Sequence, residues 1–130
     1  MVVIDTNILI DHMRRSNNAD SYLVKLHKSK SSLEIAISII TIQELYVGQS
    51  SKTSGKEQIF LRVINSLKLL SYDGRVAKFA GEIIRDTKPQ VQFADAAIAA
   101  TAILNKASLF TLNKKDFQGI KNLKLETIDK

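Results

Sequence analysis

Four acidic residues are the candidates for chemistry in this chain. Asp5 follows the apolar segment "VVI", Glu44 lies in "TIQELYVG", Asp95 opens the Ala-rich segment "DAAIAATA", and Asp116 follows "SLFTL". Carboxylates crowded at one place repel one another, so at least one pKa should rise unless a cation neutralises them. Carboxylate oxygens suit Mg²⁺ or Mn²⁺. Such an ion can activate water and stabilise charge on a phosphodiester, so the acids predict a hydrolytic metal centre.

Each of these acids also has a purely structural explanation. Asp5 is typical of a helix N-cap, and Glu44 follows Thr41 at the spacing of a capping box. Asp95 in the first turn of a helix is favoured by the helix dipole, and Asp116 suits a cap after its strand. Taken singly, the structural explanation is favoured for each residue. Taken together in one basic chain, the four favour the metal centre.

The charge of the chain indicates the kind of partner. Its 130 residues carry a formal net charge of +6 with a pI near 9.6. A diffusely basic surface favours a polyanion such as nucleic acid, although solubility alone explains the charge equally well. The absence of cysteine excludes disulfides and a thiolate nucleophile, and it fits a reducing cytoplasm. No run approaches the roughly 18 apolar residues of a membrane span, and no basic leader precedes Asp5.

Short apolar segments alternate with amphipathic ones along the chain. Strands are predicted over residues 2–4, 34–38, 68–72 and 108–112, with a weaker fifth strand over 123–128. Helices are predicted over residues 6–14, 20–30, 41–47, 74–85 and 94–106. A further basic helix has the apolar stripe Phe60, Leu61, Ile64 and Leu67. The segment "QSSKTSGK", residues 49–56, is the one place where disorder is expected.

This alternation predicts a single α/β domain over residues 1–130. We expect a mainly parallel central sheet of four to five short strands, covered by helices on both faces. In such sheets ligands bind beyond the carboxyl ends of the strands. The four acids fall near these ends, so we expect them to converge on one rim of the sheet.

Four segments in order carry a resemblance to a known family. They are "VIDTNILID", "TIQELYVG", "DAAIAATA" and "TLNKKDF", and they span nearly the whole chain. The sequence resembles the PIN-domain ribonucleases, most closely the VapC-type toxins of toxin–antitoxin pairs. The resemblance implies an endoribonuclease dependent on Mg²⁺ or Mn²⁺. It also implies that the family's acidic metal site is formed here by Asp5, Glu44, Asp95 and Asp116.

The same resemblance suggests supporting residues. Thr6 and Asn7 fall in the first motif, and Thr111 and Asn113 in the last; we expect them to hold the acids or position the substrate. Some family members have an acid near Asn113, and an Asn there would bind metal more weakly. The approach to the third acid, "TKPQVQFAD", lacks the Gly often found in such toxins, which affects the shape of the loop.

The resemblance further implies partners: an RNA substrate, a cognate VapB-type antitoxin and a second copy of the chain in a homodimer. Six apolar residues either line such a protein surface or belong to the core: Ile8, Leu9, Tyr22, Leu23, Leu45 and Tyr46. His12 and His27 lack metal-ligand spacing and are expected to be ordinary helix residues. Asp11 and the basic pairs Arg14–Arg15 and Lys114–Lys115 either support the site or face solvent.

Rival classes fit the motifs less well. A haloacid dehalogenase-type phosphotransferase needs a second Asp where Asn7 stands, and a response-regulator receiver needs an acidic pair at the end of the first strand. The five glycines form neither a P-loop nor a dinucleotide-binding fingerprint. Two alternatives stay open: an RNA-processing nuclease without an antitoxin, and a catalytically silent RNA-binding module.

Overall fold

The structure, a computed structural model, describes residues 1–15, 17–48 and 54–128. Its centre is a sheet of four parallel strands in the order β3-β2-β1-β4. The strands are β1 (Val2–Ile4), β2 (Ile35–Ser38), β3 (Lys68–Leu70) and β4 (Ser108–Phe110). The predicted α/β fold with a parallel sheet is therefore confirmed.

Six α-helices surround the sheet in the described part of the chain. They are α1 (Thr6–Arg14), α2 (Tyr22–Ser29), α3 (Ile39–Val47), α4 (Ser54–Asn65), α5 (Gly74–Asp86) and α6 (Phe93–Leu104). The described residues also include the short 3₁₀ turns Asn18–Asp20 and Lys114–Phe117. None of the described helices has the length and apolar character needed to cross a membrane. The disorder expected for residues 49–56 lies, at 49–53, outside the described residues, while 54–56 open α4.

Helix starts differ from the predicted ones because serine side chains cap them. Ser21 accepts a hydrogen bond from the Val24 N–H, so α2 begins at Tyr22 and not at residue 20. Ser38 ends β2 and also caps α3 by accepting from the Ile40 N–H at 3.1 Å. Helix α3 therefore begins directly after the strand, two residues earlier than predicted.

The predicted fifth strand, residues 123–128, is wrong. Only one isolated parallel bridge, Leu109 to Leu125, joins this segment to the edge of β4. The ladder does not continue, and the Glu126 carboxylate instead accepts a hydrogen bond from the Ser108 hydroxyl at 2.9 Å. Two backbone hydrogen bonds, from the Leu109 N–H to the Lys124 carbonyl and from the Glu126 N–H to the Leu109 carbonyl, hold this segment together with that side-chain contact.

Alternating residues of the buried strand β1 divide the core into two layers. Val3 packs with α5 and α6, whereas Val2 and Ile4 pack with α1 to α4. Helices thus cover both faces of the sheet, as predicted. Small alanine side chains let α6 lie close to the sheet, and Ala96 to Ala100 are buried without exception.

The structure separates the six apolar residues that were expected either to line a protein surface or to belong to the core. Four belong to the core: Ile8, Leu9, Leu23 and Leu45. Tyr22 is half-buried and Tyr46 is 45% exposed. In the stripe predicted for α4, Phe60 and Ile64 are buried, Leu61 is exposed, and Leu67 lies beyond the end of the helix.

Candidate active site

Asp5 lies at the carboxyl end of β1 and is also the N-cap of α1. Its Oδ1 accepts a hydrogen bond from the Thr6 N–H, and its Oδ2 accepts one from the Thr111 hydroxyl, both at 2.8 Å. The Asp5 N–H donates to the Phe110 carbonyl at 2.9 Å. The side chain is only 6% exposed. The same carboxylate therefore caps α1 and belongs to the candidate site. Hydrogen bonds to both of its oxygens fix its orientation.

Thr111 connects the ends of β1 and β4. Besides donating to Asp5, its hydroxyl accepts from the Asn113 N–H at 3.0 Å and from the Asn7 side-chain amide at 3.5 Å. The Asn7 carbonyl oxygen accepts in turn from the Leu112 N–H at 3.4 Å. These contacts turn the chain after Phe110, two residues before the end of the predicted strand. Thr6, Asn7 and Thr111 thus lie beside Asp5, and Asn113 reaches this group through its backbone.

Glu44 is half-buried on α3 and is held by a pair of threonines. Its Oε1 accepts from the Thr6 hydroxyl at 2.5 Å, and the Thr41 hydroxyl lies 3.0 Å from that of Thr6. A hydroxyl has one hydrogen to donate. Since Thr6 donates its hydrogen to Glu44, Thr41 donates to Thr6. The capping-box explanation of Glu44 is wrong, because Ser38 caps α3.

Sequence reasoning did not identify Thr41 as part of the site. Its side chain is fully buried and supports Glu44 through Thr6. The signal was present as a threonine three residues, about one helical turn, before the acid. That spacing was assigned to a helix cap instead.

The other two acids approach from different elements. Asp95 lies half-buried in the first turn of α6. Asp116 is exposed on the 3₁₀ turn Lys114–Phe117, where its N–H donates to the Asn113 carbonyl at 3.0 Å. Lys114 and Lys115 are exposed on the same turn.

Two of the four acids, Asp5 and Asp95, have a raised pKa. The pKa of Asp95 is raised to about 6, first by burial and then by the charges of Asp5, Asp116 and Glu44, in that order of importance. Burial also raises the pKa of Asp5. The hydrogen bonds from Thr111 and Thr6 oppose that rise, whereas the charges of Glu44 and Asp116 add to it. Burial is therefore the largest cause of both raised pKa values, and the charges of the other acids add to it.

No lysine, arginine or histidine in the described residues forms an ion pair with any of the four acids. Four carboxylates without a counter-cation have the donor chemistry that a hard divalent ion requires. Within residues 1–15, 17–48 and 54–128, no three acidic or histidine side chains are close enough to form a metal-binding group as they stand. The four acids therefore fit a divalent metal in their charge and ligand type, and not in the present distances between their side chains.

Asp11, Arg15 and His12, which the sequence also singled out, have structural contacts. Asp11 accepts from the Arg15 Nε at 3.0 Å and from the Tyr22 N–H at 2.9 Å, joining α1 to α2. His12 lies 2.6 Å from the Ser21 hydroxyl through its Nδ1. The exposed His27 lies on α2. These contacts agree with the prediction that the histidines are ordinary helix residues.

The chain is similar to known proteins along nearly its whole length. The PIN domain family matches residues 2–123. Ribonuclease VapC2 of Rickettsia felis is 33% identical, with 98% of each chain aligned. Ribonuclease VapC1 of Methanocaldococcus jannaschii is 30% identical, covering 99% of this chain and 88% of its own length. The solved structure of VapBC2 from Rickettsia felis bound to a DNA fragment from their promoter has 30% identity and a TM-score of 0.78, covering 99% of this chain and 100% of that one. The chain therefore belongs to the PIN-domain family.

Proposed function

We propose that this chain is a divalent-metal-dependent endoribonuclease and the toxin of a VapBC-type toxin–antitoxin pair. The observation that carries the proposal is that the charges of Asp5, Asp116 and Glu44 add to the raised pKa of Asp95, while none of these acids forms an ion pair with a lysine, arginine or histidine among the described residues. The basic surface attracts the RNA backbone. The nuclease domain is proposed to extend over residues 1–130.

Asp5, Glu44, Asp95 and Asp116 are the proposed ligands, for Mg²⁺ or Mn²⁺. When bound, such an ion supplies an activated water and stabilises the charge that develops on the phosphodiester. The raised pKa values of Asp5 and Asp95 support this assignment, because a nearby cation would remove the repulsion among these carboxylates.

The surrounding polar residues hold the acids in place. Thr111 and the Thr6 N–H fix the two oxygens of Asp5, and the Thr6 hydroxyl fixes Glu44. Asn7 positions the loop after β4 by contacting Leu112 and Thr111. Because these groups are already oriented, little reorganisation is needed when charge develops during the reaction. Lys114 and Lys115, on the turn with Asp116, are proposed to contact RNA phosphates.

The proposed partners follow from the relatives. Solved relatives along the whole chain include VapBC complexes and a toxin–antitoxin complex from Klebsiella pneumoniae. We therefore propose that a VapB-type antitoxin inhibits this chain and that the toxin forms a homodimer. We also propose that the chain acts on RNA in the cytoplasm. An RNA-processing nuclease without an antitoxin would purify from its own host without a small stoichiometric partner.

A cleavage assay tests the proposal. Purified protein should cut structured and unstructured RNAs with Mg²⁺ or Mn²⁺, and EDTA should stop the reaction. Asp5→Asn should lose the activity, whereas Glu126→Gln, which alters a carboxylate at the opposite end of the sheet, should retain it. Cleavage by Asp5→Asn at the wild-type rate would disprove the mechanism.

A further inference from the structure

Phe93 is far more exposed to solvent than the other four phenylalanines. It is the first residue of α6, two positions before Asp95, and its side chain is 78% exposed. The other four phenylalanines are buried or half-buried: Phe60, Phe79, Phe110 and Phe117. Keeping a ring in water forgoes the stabilisation that burial of its apolar surface would give. A ring exposed two residues before Asp95 would gain this stabilisation if a ligand held at the acids covered it.

The surroundings of Phe93 are polar and basic. Lys88, Gln90 and Gln92 in the preceding loop are exposed. This loop passes close to Gly119, where an added Cβ would lie 3.4 Å from the Lys88 carbonyl oxygen. It therefore runs beside the chain that follows the turn with Lys114, Lys115 and Asp116.

These surroundings favour RNA over another protein as the ligand. Lysine is depleted at protein–protein interfaces, whose centres are apolar. An exposed ring that follows a loop with an exposed lysine, Lys88, matches a nucleic-acid strand, in which flat bases alternate with phosphates. The lysine would contact a phosphate, and the ring would contact a base.

We propose that Phe93 is a stacking platform for an unpaired nucleobase next to the phosphodiester at the four acids. A base within a duplex is already stacked on both faces, so the platform selects RNA that is single-stranded at this nucleotide. This inference rests on the proposed ribonuclease function and adds a specificity-determining residue to it.

A fluorescence experiment tests the contact without requiring cleavage. The chain has no tryptophan, so Phe93→Trp introduces a single indole at the proposed platform. In an Asp5→Asn background, a single-stranded oligoribonucleotide should quench this indole saturably, because the base stacks on it. Leu69→Trp in the same background is the control, since Leu69 is 47% exposed on the edge strand β3. Its indole should keep its intensity. Oligonucleotide binding, measured by anisotropy, without quenching at position 93 would overturn the proposal.

A kinetic experiment tests the consequence for the substrate. Phe93→Leu should raise KM for single-stranded RNA about tenfold, as expected for a lost base–aromatic stack, and should leave kcat unchanged. Phe93→Tyr should keep the wild-type KM. On a duplex the three proteins should be equivalent. Equal KM values on single-stranded RNA would contradict the proposal.

Two outcomes separate this inference from its rivals. If Phe93→Leu keeps its KM but loses the dimer or a bound protein partner in size-exclusion chromatography, the ring belongs to a protein interface and the proposal is wrong. If the wild type does not cleave RNA, the proposed function fails, while quenching at position 93 still reports whether RNA stacks there.

Discussion

Acidic residues at the two ends of the central sheet have different kinds of partners. At the amino end, Glu34 pairs with Lys68 and Glu126 pairs with Lys30, each at 3.6 Å. Glu126 also accepts a hydrogen bond from Ser108. At the carboxyl end, Asp5 and Glu44 are held by hydroxyl and backbone N–H groups, and no described lysine, arginine or histidine pairs with them.

This difference separates acids that are paired within the fold from the acids proposed to bind a metal. Acids at the amino end are neutralised within the chain. Those at the carboxyl end repel one another, and the pKa of Asp95 rises to about 6 as a result of burial and of these charges. Strongly perturbed carboxylates in one cluster are typical of functional sites.

The largest expected effect is on catalysis. Asp95→Asn should lower the rate of RNA cleavage at least about 100-fold, the order of loss seen when a group that stabilises transition-state charge is removed. Glu34→Gln should leave the rate unchanged, because its partner Lys68 lies at the other end of the sheet. Single-turnover cleavage at saturating metal measures both. Similar losses of cleavage rate in the two variants would show that acids at the two ends of the sheet do not differ in function.

The next effect concerns the buried hydroxyls. Thr41→Val should weaken divalent-metal binding about tenfold, the lower end of the range for residues that orient metal ligands. Thr101→Val is the matched control, because Thr101 is equally buried but donates to the Ala97 carbonyl at 2.8 Å. Both variants should lose some thermal stability, and only Thr41→Val should lose metal affinity in calorimetric titration. Equal affinities would show that Thr41 serves packing alone.

The third effect is on the stability of the metal-free protein. The pKa of Asp95 is about 6 in the folded state against 3.8 as its ordinary value. The folded state therefore binds this proton more tightly, and the contribution of Asp95 to stability falls as pH rises from about 4 to 6. Asp95→Asn should melt a few degrees above the wild type at pH 7.5 in EDTA, and this advantage should vanish near pH 4.

Calorimetry of both proteins across this pH range provides the measurement. Glu126→Gln supplies the contrast, since it loses a hydrogen bond from Ser108 and an ion pair with Lys30. It should melt below the wild type at pH 7.5. An Asp95→Asn protein that is less stable than the wild type at neutral pH would contradict the idea that this carboxylate is unfavourable without metal.

The smallest effect is expected at the exposed pair of the amino end. Lys68→Met should change the free energy of unfolding by less than about 1 kcal/mol, because both partners are well exposed to solvent. Urea unfolding measures this change. A much larger loss would mean that the paired acids of the amino end contribute more to stability than surface ion pairs ordinarily do.

The sequence allowed the sheet and its acids to be predicted because both depend on local patterns. Short apolar segments marked all four strands, and acids at or after their ends followed from parallel topology. The fifth strand was predicted wrongly because apolar and polar residues alternate over residues 123–128 as they do in a strand. Whether this segment pairs depends on how it lies against the edge of β4, which the local pattern does not record. Only the bridge from Leu125 to Leu109 forms.

The supporting contacts of the site could be predicted less well. Thr41 and Glu44 have capping-box spacing, and sequence alone does not reveal that Ser38 already caps the helix. The hydrogen bond from Thr111 to Asp5 joins residues 106 positions apart. Such contacts depend on how β1 and β4 lie side by side, which no local pattern records.

The most direct test of the account is the binding of Mn²⁺ to the purified protein. Calorimetric titration and thermal melting should compare the wild type, Asp95→Asn and Glu126→Gln. Ligand that binds only the folded state raises its melting temperature, so we expect binding and a clear upward shift for the wild type and Glu126→Gln, and much less of both for Asp95→Asn. Equal affinity and equal shifts in all three proteins would contradict a metal site at the carboxyl end of the sheet.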